Sequence, residues 1–243
     1  MKKYELTAEF IEKWGKKLFR IKALISFGSV EAGELGGYVE KEDNLAQDGD
    51  AWVYGNARVY GDARVYGDAR VCDNVMVYDD ARVYGNAWVY GDAWVYGNAW
   101  VYGDARVYGD ARVCDNARVC DNVMVYDDAW VYGNAWVYGD ARMYGDARVC
   151  DNARVCDNAD YLLIGRIGSR FSFTTFFKNK DKGITVSCGC FLGTIAEFRA
   201  KVTDTHGNNK HAKMYNLAAD MAELQILGEE HFDKLNTNKS EPF

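Results

Sequence analysis

Ala51-Trp52-Val53-Tyr54-Gly55-Asn56, Ala57-Arg58-Val59-Tyr60-Gly61-Asp62 and Ala63-Arg64-Val65-Tyr66-Gly67-Asp68 open a run of eighteen six-residue units that reaches Asn158 without insertion or deletion. In each unit the first and third residues are small or aliphatic, the second and fourth are large, and the last two are turn formers. Alternating faces over four residues followed by a two-residue corner describe a short strand and a bend. A meander of such hairpins would form one long sheet whose Ala and Val face has nothing to pack against. If each corner turns the chain by a third of a circle, three hexads close one triangular coil with Ala and Val inside. Coils then stack as parallel sheets about 4.8 Å apart, and six of them span about 29 Å. An uninterrupted fixed period of this kind marks a solenoid.

The corners carry the same message. One corner residue needs a positive φ, which Gly adopts freely and Asn or Asp adopt best among the rest. Where Gly is lost the pair becomes Asp-Asn, as at Asp73-Asn74, Asp115-Asn116 and Asp151-Asn152, or Asp-Asp, as at Asp79-Asp80 and Asp127-Asp128. The interior varies little: Val75 and Val123 replace Ala, and Met143 replaces Val.

An aliphatic residue followed four places later by a small one (Val53 then Ala57, Val59 then Ala63) resembles the hexapeptide-repeat family of left-handed parallel β-helices. The resemblance covers 108 of the 243 residues and implies the left hand, with Tyr standing where that family usually has Gly. The expected fold class is an all-β solenoid over residues 51–158, with an N-terminal cap over 1–50 and a C-terminal α+β module over 159–243. The whole layout, with Ile167-Gly168-Ser169-Arg170 and Thr174-Thr175-Phe176-Phe177 in the module, is similar to uncharacterised hexapeptide-repeat proteins of bacteria and their prophages.

Stacking residues three hexads apart writes out the surface. One side carries Trp52, Arg70, Trp88, Arg106, Met124 and Arg142 in file, beside Tyr54, Cys72, Tyr90, Tyr108, Tyr126 and Tyr144. The other two sides carry Trp94 and Trp130, and Trp100 and Trp136, among arginines, flanked by files that include Tyr96 and Tyr102. Trp against Arg on adjacent turns predicts cation–π stacking, about 0.5–1 kcal/mol at an exposed site. The ladders stiffen the rod, and they also expose more aromatic surface than a soluble monomer usually shows. The candidate interface or ligand surface is therefore Trp52, Trp88, Trp94, Trp100, Trp130, Trp136, Arg70, Arg106, Tyr90, Tyr96 and Tyr102.

Residues 69–92 nearly repeat at 117–140, a shift of eight hexads. Eight is not a multiple of three, so a copied block lands on a different side. Interchangeable sides favour a scaffold over a site built at one place.

Composition narrows the function. Residues 51–158 contain 16 Asp, 10 Arg and no Lys or Glu, a net charge of −6, whereas residues 1–50 carry −2 and 159–243 carry +1. An acidic rod disfavours nucleic acid, whose phosphates need cations. No apolar run is long enough for a membrane span, and Met1-Lys2-Lys3 is not followed by an apolar signal region, so the expected location is the cytoplasm. Five of the seven cysteines occupy the Tyr slot, at Cys72, Cys114, Cys120, Cys150 and Cys156. Same-file pairs are two turns apart, about 9.6 Å, beyond the roughly 7 Å limit for a disulfide.

The N-terminal cap reads as a helix over 8–16 begun by Thr7, a strand over 18–27 and another over 33–39, with Leu45 echoing the hexad. The module reads as strands over 161–165, 170–177 and 184–188, then helices over 194–203 and 210–227, with Met214, Leu217, Met221 and Leu224 as one apolar stripe. Cys188 and Cys190 with His206 and His211 form the one metal-like constellation, a donor set suited to tetrahedral zinc. The Cys-x-Cys half is tighter than the usual spacing, which favours an ordinary thiol and helix-terminal histidines with no cofactor.

Acyl transfer is the activity that the hexapeptide-repeat resemblance implies, with a His base on a protruding loop. Residues 51–158 have no His, Ser, Thr, Lys or Glu and no such loop, so no catalytic residue is expected in the coils and the chain is not expected to be an enzyme. Two classes remain. The first is a self-associating structural scaffold, a dimer or trimer whose C-terminal module binds a protein partner. The second is a protein that sequesters a sugar or nucleotide on Trp and Tyr, as a phage immune-evasion factor would.

Overall fold

In the computed structural model, which describes residues 1–230, each hexad forms a two-residue strand from its second and third residues, and each but the last, where Asn158 opens a short 3-10 helix, forms a turn at its fifth and sixth. The strand is shorter than the four residues expected because the first and fourth positions already bend into the corners. They still join the ladder: the Tyr54 N–H donates to the Val71 carbonyl at 2.7 Å and the Trp52 N–H to that of Ala69 at 3.0 Å. Within residues 51–158 every pairing is parallel and joins positions three hexads apart. Trp88 lies opposite Arg70 and Arg106, and Trp100 opposite Arg82 and Arg118. Three hexads thus make one turn, and three sheets form the sides of a parallel β-solenoid. The inward Ala, Val and Met143 side chains are wholly buried in one continuous core.

The fifth residue of each hexad sets the corner. Gly85 has φ 71° and Gly91 φ 77°, and Asp occupies the same left-handed conformation at Asp73 (62°), Asp115 (60°) and Asp127 (56°). These Asp residues cap the turn above them: the Gly91 N–H donates to Asp73 Oδ2 at 3.0 Å, and that of Gly133 to Asp115 Oδ2 at 3.0 Å. Short polar side chains tolerate this conformation because they bond locally.

The N-terminal segment departs from the expected helix. Residues 4–16 hold strand β1 (Tyr4–Lys13), which turns back through Trp14 (φ 51°) and Gly15 (φ 74°) into antiparallel β2 (Lys16–Ala23). Two successive positive φ values make a tight hairpin turn, and β3 (Leu35–Val39) then pairs in parallel with the strand at Arg58–Val59. Leu45 bridges in parallel to Val65, so the hexad echo is real and begins a seventh turn. Tyr38 pairs with Arg58 and Leu45 with Val65, each separation being two positions longer than three hexads. The two extra positions fall between Leu45 and Ala51, after which the regular register holds.

This cap supplies donors to the carbonyls left open on the first coil. Asn44 is completely buried; its Nδ2 donates to the Gly61 and Ala63 carbonyls at 3.1 and 2.8 Å, and its Oδ1 accepts from the N–H groups of Glu40 and Lys41. The Lys3 ammonium reaches the Ala51 carbonyl at 3.0 Å.

At the other end, the solenoid strands at residues 148–149 and 154–155 abut a four-stranded antiparallel sheet: β4 (Tyr161–Ile167), β5 (Ser172–Lys178), β6 (Ile184–Cys188) and β7 (Phe191–Thr194). Helices α1 (Ile195–His206) and α2 (Lys210–Leu227) pack on it. Here the cap must supply acceptors. Thr175 Oγ1 accepts from the Arg148 N–H at 3.1 Å, Asn158 Oδ1 from that of Arg142 at 3.0 Å, and Asp160 Oδ2 from that of Cys156 at 2.8 Å. Phe177 and Tyr161 extend the solenoid core into this sheet. The part of the module after Glu230 lies outside the described residues.

Asn44→Ala leaves two carbonyls of the first coil and two N–H groups of the cap without partners. It is expected to lower stability by at least about 2 kcal/mol, a buried unsatisfied group costing about 1–3 kcal/mol. A urea midpoint unchanged from that of the parent protein would refute this account of the cap.

Candidate functional site

The stacked register brings the side-chain files together as cation–π columns. Arg70 and Arg106 lie over the two faces of Trp88, at 4.9 and 5.9 Å from the ring centroid. Arg112 sits between Trp94 and Trp130 at 5.1 and 5.3 Å, and Arg118 between Trp100 and Trp136 at 5.0 and 6.0 Å. Tyrosines stack nearly parallel beside them: Tyr78–Tyr96 at 5.0 Å, Tyr84–Tyr102 at 4.9 Å and Tyr90–Tyr108 at 4.8 Å. Trp88 is the most open indole of the columns, 40% exposed, whereas Trp94, Trp100, Trp130 and Trp136 are half-buried.

Trp52 does not belong to this surface. It is wholly buried, with Tyr4 and Phe27 edge-on at 6.0 and 5.4 Å. A Cβ at Gly36 would stand 2.7 Å from its ring. The outward position faces the N-terminal cap instead of solvent, so Trp52 is a packing residue and is removed from the candidate interface.

At Cys120 the cysteine in the tyrosine slot has a packing reason that the period alone conceals. Trp136 Nε1 donates to Cys120 Sγ at 3.3 Å, and Cys114, Cys120 and Cys150 are buried. A smaller side chain on the turn below lets the indole lean over it. All seven cysteines are free. Burial pushes the Cys72 and Cys150 thiols up to about 11 and raises that of Cys114 as well.

The four zinc candidates are not brought together as a metal centre. Cys188, Cys190 and His206 line one cavity in the module, and His211 packs ring to ring with His206 at 5.8 Å. His206 stacks on Tyr215, and Cys188 Sγ accepts from the Thr174 hydroxyl at 3.1 Å. The imidazoles are thus taken up in an aromatic stack and the inner thiol in a hydrogen bond. Among the described residues no group of three or more His, Cys, Asp or Glu is placed to hold a metal ion.

A second feature escaped sequence reasoning. The stripe Met214, Leu217, Met221 and Leu224 faces outward, 40%, 63%, 57% and 45% exposed. The face of α2 that packs on the sheet is instead Ala212, Tyr215, Ala218, Ala219, Ala222 and Ile226. Arg199 of α1 clamps it through Asp220 and Glu223, each at 2.7 Å.

Six stretches of the coils, residues 51–67, 57–73, 77–91, 81–97, 99–115 and 117–133, match the family model described as YdcK Beta solenoid repeat. The coils are similar to that repeat. The matched segments lie wholly inside the solenoid and cover neither cap. No curated protein matches the chain. Among the described residues no helix is long and apolar enough to cross a membrane.

Two measurements test these surfaces. A double-mutant cycle of Arg112→Ala and Trp130→Ala is expected to give a coupling of about 0.5–1 kcal/mol; additive effects would mean that the stack contributes nothing. With iodoacetamide near the ordinary thiol pKa of about 8.5, mass spectrometry should find Cys190 alkylated first and Cys150 last. Equal rates would contradict the burial of the ladder thiols.

Proposed function

We propose that this chain is a non-enzymatic structural and protein-interaction scaffold that self-associates as a dimer or trimer through the Trp/Tyr/Arg sides of its solenoid, with a partner-binding surface on the C-terminal module. The observation that carries the reading is the aromatic and guanidinium surface repeated on all three sides of the solenoid, broken only by Met76, Met124 and the five cysteines, with Trp88 40% and Tyr144 45% exposed. Trp, Tyr and Arg are the side chains enriched at interface hot spots; Trp and Tyr offer large contact area with little conformational freedom to lose, and Arg adds a planar guanidinium that stacks on aromatic rings. The coils hold no His, Ser, Thr, Lys or Glu, so their only carboxylates are Asp residues at the corners. An Asp whose carboxylate bonds the N–H of the next turn, as Asp73 does, is already committed to the fold.

The exposed stripe on α2 supports the second half of the reading. Four large apolar side chains at three- and four-residue spacing form one continuous helix face, the pattern that an amphipathic partner reads. Among the described residues the acyltransferase alternative finds no histidine on the coils: His206 closes α1 and His211 lies in α2.

Sedimentation velocity at micromolar concentration is expected to give two or three times the 27.4 kDa chain mass. Trp88→Ser combined with Trp100→Ser is expected to shift the distribution to monomer, while Leu217→Glu with Met221→Glu leaves it unchanged. A monomeric parent protein would remove self-association. Dissociation by the α2 variant alone would move the interface from the ladders to the module.

A further inference from the structure

The cavity between the Cys188-Gly189-Cys190 turn, the loop at Ser169–Arg170 and helix α1 has a volume of about 280 Å³, at the small end of ligand sites. Its charged lining is entirely cationic, Arg170 and Lys201, with no carboxylate. Among the described residues Arg170 has no ion pair, and Lys201 has only the exposed Asp204 at 3.3 Å. An exposed pair of that kind holds its partners weakly, so both cations are free to meet an anion.

The local backbone is shaped around the guanidinium. Gly189 is left-handed at φ 60°, and a Cβ built there would stand 3.2 Å from Arg170 Nη1. The absent side chain lets the guanidinium lie against the turn. On the inner side, Phe198 and Tyr215 are buried and edge-on to one another at 5.6 Å, with Phe191 at 5.5 Å from Phe198. Gly168, also left-handed at φ 72°, leaves room for the Tyr215 hydroxyl, which any side chain at that position would displace. Two glycines in left-handed conformations thus make room for the cation at the opening and for the phenol on the inner side.

We infer that this cavity binds a small oxyanion, a carboxylate or phosphate monoester, carried on an aromatic group. Arg170 takes the charge through the planar, bidentate geometry that suits guanidinium to both oxyanions, and the Lys201 ammonium adds a second point charge. The Phe191, Phe198 and Tyr215 rings take the apolar body. The site is independent of the coils and of the exposed α2 stripe, so it stands or falls separately from self-association.

Cys190 lines the cavity and is exposed, which makes it a reporter. The experiment measures its alkylation rate in the full chain against phenyl phosphate, benzoate, inorganic phosphate, benzyl alcohol and benzylamine, with Cys72 as the internal control. Phenyl phosphate or benzoate is expected to slow Cys190 saturably without changing Cys72, and benzyl alcohol and benzylamine are expected to have no effect. Arg170→Gln and Lys201→Gln, both at exposed positions, are each expected to weaken that protection at least about tenfold, the loss of one charge-assisted contact. Saturable heat of binding by titration calorimetry, lost in the same variants, is expected alongside. Protection by benzyl alcohol equal to that by phenyl phosphate overturns the anion assignment. Protection by inorganic phosphate as strong as by phenyl phosphate overturns the aromatic half, and no saturable protection by any probe overturns the site.

Discussion

The left-handed corner at the fifth residue of every hexad up to Asp151 is the constraint on which the solenoid depends. The corner places backbone directly beneath backbone: a Cβ at Gly85 would meet the Gly103 nitrogen at 3.0 Å, and one at Gly103 would meet that of Asp121 at 2.7 Å. Only Gly or Asp occupies that conformation at the corners. The Asp choice carries its own rule. Asp73, Asp79, Asp115, Asp121 and Asp127 each lie under a glycine of the next turn, whose N–H they accept. No two of these Asp residues are stacked on successive turns. The carboxylate fills the space above itself, and a second one about 4.8 Å away would repel it.

Once the corner is set, the hydrogen-bond ladder determines what the ends must contain. The second, fourth and sixth residues of a hexad send their N–H groups to the next turn, as Trp52, Tyr54 and Asn56 do to Ala69, Val71 and Asp73. A last turn therefore ends in N–H groups without acceptors, and a first turn ends in open carbonyls. Asn44 and Lys3 are donors at one end; Thr175, Asn158 and Asp160 are acceptors at the other. A buried donor or acceptor left unpaired is costly, and an open sheet edge recruits other strands. The two caps differ in fold because they answer complementary requirements.

The period, the parallel three-hexad register, the cation–π columns and the positive-φ corners were legible because each follows from one repeated local unit. What the repeat does not encode was harder to read. Tyr4, Leu6 and Phe10 fit a strand while Phe10, Ile11 and Trp14 fit a helix, and the deciding turn is Trp14-Gly15, in which an indole residue takes a positive φ that sequence rarely advertises. Trp52 follows the outward pattern yet is covered from a distance by Tyr4 and Phe27. In α2 the large apolar stripe has the spacing of a packed face. The sheet instead takes the alanines, whose small side chains let helix and strands approach closely, and leaves Met214, Leu217, Met221 and Leu224 outside. The cationic cavity draws Arg170, Cys190 and Lys201 from three separate elements, a juxtaposition no local motif records.

The internal copy of residues 69–92 at 117–140 shows where individuality resides in this molecule. A shift of eight hexads carries Trp88 on one side of the solenoid to Trp136 on another. Trp88 lies between Arg70 and Arg106, and Trp136 lies between Arg118 and Arg154 at 6.0 and 5.7 Å. The same sandwich re-forms on a different side because its geometry depends only on the three-hexad register and not on which side carries it. A sandwich that re-forms after such a move is specified by the repeat and not by one place along it. The cavity glycines, the exposed thiol, the cations of the cavity and the outward apolar face of α2 all occur where the period stops.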